Sequence, residues 1–197
     1  MFKLVIIGTI AVVAMAHPIS HEMTEKINSK ATTWKAADPA TNPLSKYTHE
    51  ELLQKLGTFI VPINGVHKRP QVTEVPTEFD ARAQWPNFVH KVRDQQQCGS
   101  CWAFGASEAL SDRFAISSNG KINQVLSPED MVSCDTQDYG CGGGYMEKAW
   151  DYLEQFGIVT DSCFTYTAGG GNAPACASKC GDGEAFTKYK CQKGSIV

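Results

Sequence analysis

Two cysteines three positions apart, Cys98 and Cys101, enclose Gly99 and Ser100 and precede Trp102, and these residues are the best placed in the chain to do chemistry. Cys101 opens an apolar pattern in which Trp102, Ala106, Ala109, Leu110, Arg113 and Phe114 recur at the 3.6 period, so a helix is predicted there with Ser100 as N-cap. The first turn of a helix carries unpaired N–H groups and the positive end of the dipole, which together favour a thiolate, the attacking form of sulfur. Gln95 lies on the entering loop. From there its amide can reach the same helix end and join the Cys101 N–H in donating to an oxyanion. Three plainer readings stay open on these residues alone. Cys98 and Cys101 could be a redox pair, although no strand–helix–strand pattern surrounds them. With Cys176 and Cys180 they could be half a zinc site, although the intervening stretch far exceeds the roughly 15–20 residues of a compact ribbon. Both could also be ordinary disulfide partners, which is what composition alone favours.

The elements that must position this string are legible around it. Ser127-Pro128-Glu129-Asp130 reads as an N-cap, a proline at the first helical position and two acids in the first turn. A further helix is predicted from about Tyr145 to Phe156, with Tyr145, Met146, Ala149, Trp150 and Leu153 on one side and Gly157 ending it. Ser118-Asn119-Gly120 closes the Cys101 helix, and after Phe164 the Gly-rich run 168–171 and the close pair Cys176 and Cys180 read as a stapled loop. Before residue 75 the chain is different. Thr48-His49-Glu50-Glu51 is a capping box opening a short helix with Leu52, Leu53 and Leu56 that stops at Gly57. The stretch from Thr58 to Glu74 reads as a linker. So few buried residues cannot hold a domain alone, so this segment is expected to dock on the Cys-rich half.

All eight cysteines fall between positions 98 and 191 of the 197 residues. The chain holds 18 Lys+Arg against 21 Asp+Glu, a net charge of −3, with 42% hydrophobic residues. That composition excludes a disordered polymer and gives no support to a nucleic-acid binder. Met1-Phe2-Lys3, the apolar run Leu4 to Val13 and Ala14-Met15-Ala16 have the layout of a secretory signal peptide cleaved before His17. The run is shorter than the about 20 residues that span a bilayer. Secretion places the cysteines where disulfides persist.

Cys98-Gly99-Ser100-Cys101-Trp102 resembles the signature of the papain/cathepsin family of cysteine peptidases, and the likeness is wide. Phe79-Asp80-Ala81-Arg82 resembles the start of the mature family domain, and Leu126 to Cys134 its second helix. Cys141-Gly142-Gly143-Gly144-Tyr145 resembles its substrate-cleft motif, with Gly142 where the family has Asn. Thr33-Trp34-Lys35-Ala36 and Leu56-Gly57-Thr58 resemble the short prosegment of the cathepsin B type. The resemblance implies an α+β papain-like fold, with the mostly helical, nucleophile-bearing half and its stapled loops present and the β-rich half largely missing. It implies a signal peptide at 1–16, a propeptide at 17–74 and the N-terminal portion of a peptidase domain at 75–197. Cys101 would be the acyl-forming nucleophile and Gln95 the oxyanion-hole side chain. Gly99, Gly143 and Gly144 would bind the substrate backbone, and Trp102, Trp150 and Tyr145 would be packing residues. The disulfides implied are Cys98–Cys141, Cys134–Cys176 and Cys163–Cys180, leaving Cys191 unpaired. A further family bridge is lost at both its positions, around Asn87 and at Ala115. No cofactor or metal is expected.

The family also needs a His, and an Asn to orient it, about 130–150 residues after the Cys. Only 96 residues follow Cys101, none of them His; the five His stand at 17, 21, 49, 67 and 90. The chain is therefore expected to stop about halfway through the enzyme and to lack normal turnover alone. Between Cys163 and Cys176 there is no His and no further Cys, so the loop that gives cathepsin B its dipeptide-trimming activity is absent, and an endopeptidase is expected. Protein or peptide substrates and the chain's own propeptide are the expected partners of a monomer, with no nucleic acid and no membrane span after signal cleavage. The compartment is lysosome-like or extracellular. Residues 17–74 carry a net +1 and four of the five His, whereas 75–197 carry a net −5. Acid should therefore weaken docking between them. Two other functions fit the same residues: a non-catalytic decoy that holds peptides or a propeptide, and a secreted thiol–disulfide oxidoreductase using Cys98 and Cys101.

Overall fold

The computed structural model describes residues 17–60 and 74–194, so the expected signal peptide, most of the expected linker and the last three residues lie outside it. In chain order the elements are α1 (His21–Asn28), α2 (His49–Gln54), β1 (Thr58–Phe59), α3 (Ala81–Gln84), α4 (Cys101–Ser117), α5 (Pro128–Cys134), β2 (Gly144–Tyr145) and α6 (Met146–Gln155). Single 3-10 turns occur at Pro43–Lys46, Gly140–Gly142 and Ala168–Gly170. The chain divides into two compact units at Leu52/Leu53. The fold is mostly helical, and its strands among the described residues are short.

The N-terminal unit is held by local hydrogen bonds. Ser20 caps α1 by accepting from Met23 N. Asn28 accepts the Ala36 N–H at 2.7 Å and donates to the Ala36 carbonyl at 3.3 Å, closing the turn that carries Trp34. Ile19 N–H donates to His17 Nδ1 at 3.0 Å, which leaves the His17 Nε2–H to donate to the Tyr47 carbonyl, 2.7 Å away. α2 begins with the reciprocal bonds of a capping box: Glu51 N donates to Thr48 Oγ1 and Thr48 N to Glu51 Oε2.

The second unit is built round α4, which is buried along most of its length. Trp102, Ala103, Ala106 and Ala115 are fully buried, and Leu110 nearly so. Helices α5 and α6 pack on it through Met131, Ala149 and Leu153. Two buried serines let a polar backbone pass this core. Ser111 donates to Ser107 O at 2.7 Å and accepts from Leu126 N at 2.9 Å. α5 begins as its sequence requires, with Ser127 accepting from Asp130 N and Pro128 first. The two acids that follow do more than complement the helix dipole. Both are fully buried. Asp130 binds Lys188 Nζ at 2.6 Å, Tyr152 OH at 3.1 Å and Val159 N at 2.9 Å. Glu129 accepts from the backbone N–H groups of Thr167 and Ala168, the latter at 2.9 Å, and from Ser133 Oγ at 3.1 Å. One turn of helix thus anchors two distant loops. α6 ends at Gly157, where φ is +70° and the N–H returns to Tyr152 O.

Two expectations need correction. At the end of α2 the leucines are exposed, Leu53 by 51% and Leu56 by 73%. The buried residue there is Gly57, and the stretch after it, read as linker, starts with β1, which pairs in parallel with β2 in the register Thr58↔Gly144 and Phe59↔Tyr145. Ser100 stands at the N-cap position of α4 but makes no capping bond with its side chain. Its hydroxyl lies 2.9 Å from Tyr166 OH instead. Among the described residues no helix is long and apolar enough to cross a membrane.

Candidate active site

Cys101 is the first residue of α4, a free and half-buried thiol. The loop that delivers it, 94–100, has few backbone choices. Asp94 accepts the Gln96 N–H at 2.8 Å, and Gln96 sits at φ +57°, a left-handed conformation rarely taken by residues other than glycine. Gln97 N donates to Gly169 O at 2.9 Å and Gly99 N to Cys141 O at 3.0 Å. Cys98 is bonded to Cys141, a bridge across 43 residues of sequence. On loop-closure entropy such a bridge stabilises the fold by about 4 kcal/mol. The remaining bridges are Cys134–Cys176 and Cys163–Cys180, with Cys191 free and half-buried. Burial pushes the Cys191 thiol above its ordinary range, against the pull of Arg113.

These bonds remove two of the competing readings. Cys98 is committed to Cys141, so it does not form a redox pair with Cys101. Cys176 and Cys180 are likewise in disulfides and do not form a zinc set with Cys98 and Cys101. Among the described residues no group of three or more His, Cys, Asp or Glu side chains is arranged to hold a metal ion.

Residues 55–59 lie over the sulfur. Gly57 N–H donates to Cys101 Sγ at 3.2 Å, and Thr58 Oγ1 is 3.1 Å from the same atom. Gln95 Nε2 donates to the Lys55 carbonyl at 2.8 Å and to the Cys98 carbonyl at 2.7 Å. The amide read as an oxyanion donor is thus occupied by a carbonyl of the covering segment. Lys55 Nζ also donates to Gln96 O. Gly144 N–H donates to Gly57 O at 2.7 Å, so the glycine-rich strand β2 offers its edge to an extended peptide. The approach is close enough to need glycine on both sides. A Cβ on Gly57 would lie 1.7 Å from the Gly99 carbonyl oxygen, and one on Gly144 would lie 2.6 Å from the Trp102 ring. Gly143, at φ +113°, faces the Phe59 ring.

Phe59 fills a slot between Tyr139 and Tyr145, with ring centroids 6.0 and 5.1 Å away. Lys148 Nζ stands 4.5 Å from the Tyr145 ring centre. Under β2, Asp138 accepts the Tyr145 N–H at 2.8 Å, while its second oxygen is buried with no partner, as is one oxygen of Asp135. Burial raises the pKa of both carboxyls above the ordinary value. Trp102 Nε1 donates to Gly140 O at 3.1 Å, a packing bond rather than a reacting one. His90 pairs with Asp112 at 2.7 Å.

Sequence reasoning missed Tyr166, Asp138, Glu129 and Lys55 as parts of this site. Only Glu129 carried a local signal, as a first-turn acid, and it pointed to a different role. Tyr166 OH donates to Gln95 O at 2.9 Å across 71 residues of sequence, a pairing with no local trace.

The geometry is that of a thiol at a helix end with an amide donor beside it and a backbone-binding edge opposite. The family described as papain family cysteine protease matches residues 75–195, and the chain belongs to it. Within that family it is similar to the cathepsin-B-like members. Cathepsin B-like cysteine proteinase 4 of Caenorhabditis elegans is 39% identical over 180 residues, covering 87% of this chain and 52% of the relative. Cathepsin B-like cysteine proteinase 5 of the same organism is 39% identical over 172 residues, covering 81% and 47%. The solved structure of proCathepsin B S9 from Trypanosoma congolense superposes with a TM-score of 0.70 at 26% identity, covering 87% of this chain and 62% of that one. The chain spans about half the length of the curated relatives it matches.

Proposed function

We propose that this chain is the latent precursor form of a secretory-pathway cysteine endopeptidase, with residues 1–16 a signal peptide, 17–74 a propeptide and 75–197 the nucleophile-bearing portion of the peptidase domain. Cys101 is the nucleophile and Gln95 the oxyanion donor. Gly99, Gly143 and Gly144 receive the backbone of an extended peptide. In the reaction the Cys101 thiolate adds to a peptide carbonyl, and the developing oxyanion is held by Gln95 Nε2 and the Cys101 N–H. The amine leaves with a proton, and water hydrolyses the thioester. Destination is a lysosome-like compartment or the exterior. The solved proform of the Trypanosoma congolense relative supports reading residues 17–74 as an intramolecular inhibitor.

The observation that carries this reading is the pair of contacts on one free sulfur, from Gly57 N at 3.2 Å and Thr58 Oγ1 at 3.1 Å. A segment so placed excludes other peptides from Cys101. The test is the rate at which iodoacetamide alkylates Cys101, read by mass spectrometry of the intact chain. Gly57→Ala cannot keep the covering contact, because its Cβ would meet Gly99 O. Displacing a docked segment of this size is expected to speed alkylation at Cys101 by about a hundredfold, as for a local opening costing about 3 kcal/mol. A sulfur that stays inert in Gly57→Ala, or one found bonded to another half-cystine, overturns the proposal. Acidification adds a second handle. Segment 17–74 carries +1 against −5 in 75–197, so neutralising carboxylates of 75–197 at lower pH should release the cover. An alkylation rate that does not rise between neutral and acidic pH, once corrected for thiol ionisation in an unfolded control, removes the charge argument.

A further inference from the structure

We infer that Tyr166 is a positioning residue for the Cys101 site, acting through Gln95 and Ser100; the inference rests on the peptidase reading above. Tyr166 OH donates to the Gln95 carbonyl at 2.9 Å and lies 2.9 Å from Ser100 Oγ. A phenol has one proton to give, so with that proton on Gln95 O the Ser100 hydroxyl is the donor to Tyr166. The result is a directed chain, Ser100 Oγ–H to Tyr166 Oη–H to the Gln95 carbonyl, that joins both ends of the loop 95–100. Each bond in such a chain polarises the next.

The chain has two consequences at Cys101. It fixes the main chain of Gln95, from which the side-chain amide reaches forward to Lys55 O and Cys98 O. It also engages the one side chain able to cap α4. A serine at this position normally accepts from an N–H of the first turn. Here Ser100 makes no such bond, so its oxygen stays off the amides next to Cys101. Tyr166 is itself held from behind. Its ring packs edge-on against Phe104, with centroids 4.7 Å apart. The two residues after it are tied by their backbone N–H groups to the buried Glu129 carboxyl. Gly169 O, a little further on, accepts from Gln97 N. The segment 166–169 is thus a fixed wall against which the reactive loop is set.

Tyr166→Phe keeps the ring and removes the hydroxyl, and Ser100→Ala removes the competing cap. In heteronuclear NMR of the full chain, Tyr166→Phe should shift the Gln95 side-chain amide resonances and the Cys101 and Trp102 backbone amides, with the remaining core unmoved. Alkylation of Cys101 is then compared in the uncovered Gly57→Ala background. Adding Tyr166→Phe should slow it about fivefold at neutral pH, the scale of one hydrogen bond, because the freed Ser100 hydroxyl turns to the helix end. Adding Ser100→Ala to that variant should recover most of the loss, a rescue that a purely structural tyrosine would not give. Unshifted Gln95 amide resonances, or equal slowing with and without Ser100, overturns the inference. If Cys101 resists alkylation in every background, the peptidase reading falls, and the Gln95 resonances alone then decide the role of Tyr166.

Discussion

The two sides of the Cys101 sulfur are held in different ways. On one side the loop 95–100 and the mouth of α4 are fastened by a disulfide, a tyrosine 71 residues beyond Gln95 and a wall pinned by a buried carboxyl. On the other, residues 55–59 are held by main-chain bonds, by one lysine reaching the loop and by a glycine that fits only because it lacks a side chain. The first set of contacts is long-range in sequence and mostly buried. The second is a strand edge of two residues flanked by exposed leucines. A cover attached this way can leave without disturbing what it covers, because little of the core goes with it.

The sharpest way to break that contrast is to remove the pin on the durable side. Glu129→Ala takes away the acceptor for the Thr167 and Ala168 N–H groups; Thr167 is exposed and can turn to water, but Ala168 is fully buried and its N–H is left unpaired. An orphaned buried group costs on the order of 1–3 kcal/mol, so the loss should be about 2 kcal/mol. In urea under oxidising conditions the midpoint should fall by roughly 1–2 M. A midpoint within a few tenths of the parent would mean that the wall does not depend on this carboxyl, and that the two sides of the sulfur are less different than described.

The corresponding change on the releasable side should be smaller. Phe59→Ala removes the rings' contacts with Tyr139 and Tyr145 but leaves the β1–β2 hydrogen bonds in place. An aromatic contact of this kind contributes about 1 kcal/mol. Alkylation of Cys101 should rise about fivefold, well below the effect of Gly57→Ala, with no change in the urea midpoint of the rest. Equal effects from the two substitutions would show that the aromatic slot, not the glycine fit, holds the cover.

What could be read in the sequence follows the same division. The capping box at Thr48, the Ser127-Pro128 start and the Gly157 stop are decided by residues within a few positions of one another, and each element forms about where its local signals put it. Cys101 at a helix start is legible for the same reason. The errors arise where a distant residue competes. Ser100 has the sequence of a cap, but a phenol arriving from position 166 claims its hydroxyl. Glu129 and Asp130 have the sequence of first-turn acids, yet partners 38 and 58 residues away bury them. The stretch from Thr58 reads as linker by its turn residues, whereas the close backbone approach at Gly57 sets Thr58 and Phe59 against β2. Hydrophobic pattern reports which residues prefer to leave water. It does not report where two backbones must nearly touch.

The smallest expected effect lies in the floor that both sides share. Asp138 holds β2 through the Tyr145 N–H, and β2 is the edge that the cover pairs with. Asp138 is faced by Asp135, by Lys148 from α6 and by the backbone of Gly144. Loss of hydration raises its pKa above 3.8, opposed by the Tyr145 N–H and by Lys148. A carboxyl with a raised pKa binds its proton more tightly folded than unfolded. Its stabilising contribution is therefore complete below the ordinary value and is lost as the pH climbs through the raised one. Asp138→Asn keeps an oxygen for Tyr145 and cannot titrate. On moving from neutral pH to about pH 4, the parent should therefore gain stability relative to Asp138→Asn, read as the difference in urea midpoints at the two values. A difference that stays flat, or that favours the variant in acid, would remove Asp138 as a titrating group. The predicted sign opposes that of the cover, which the net charges of 17–74 and 75–197 should loosen in acid. Acid would then firm the floor of the site while freeing its lid, which requires that the two sides of Cys101 respond to protons independently.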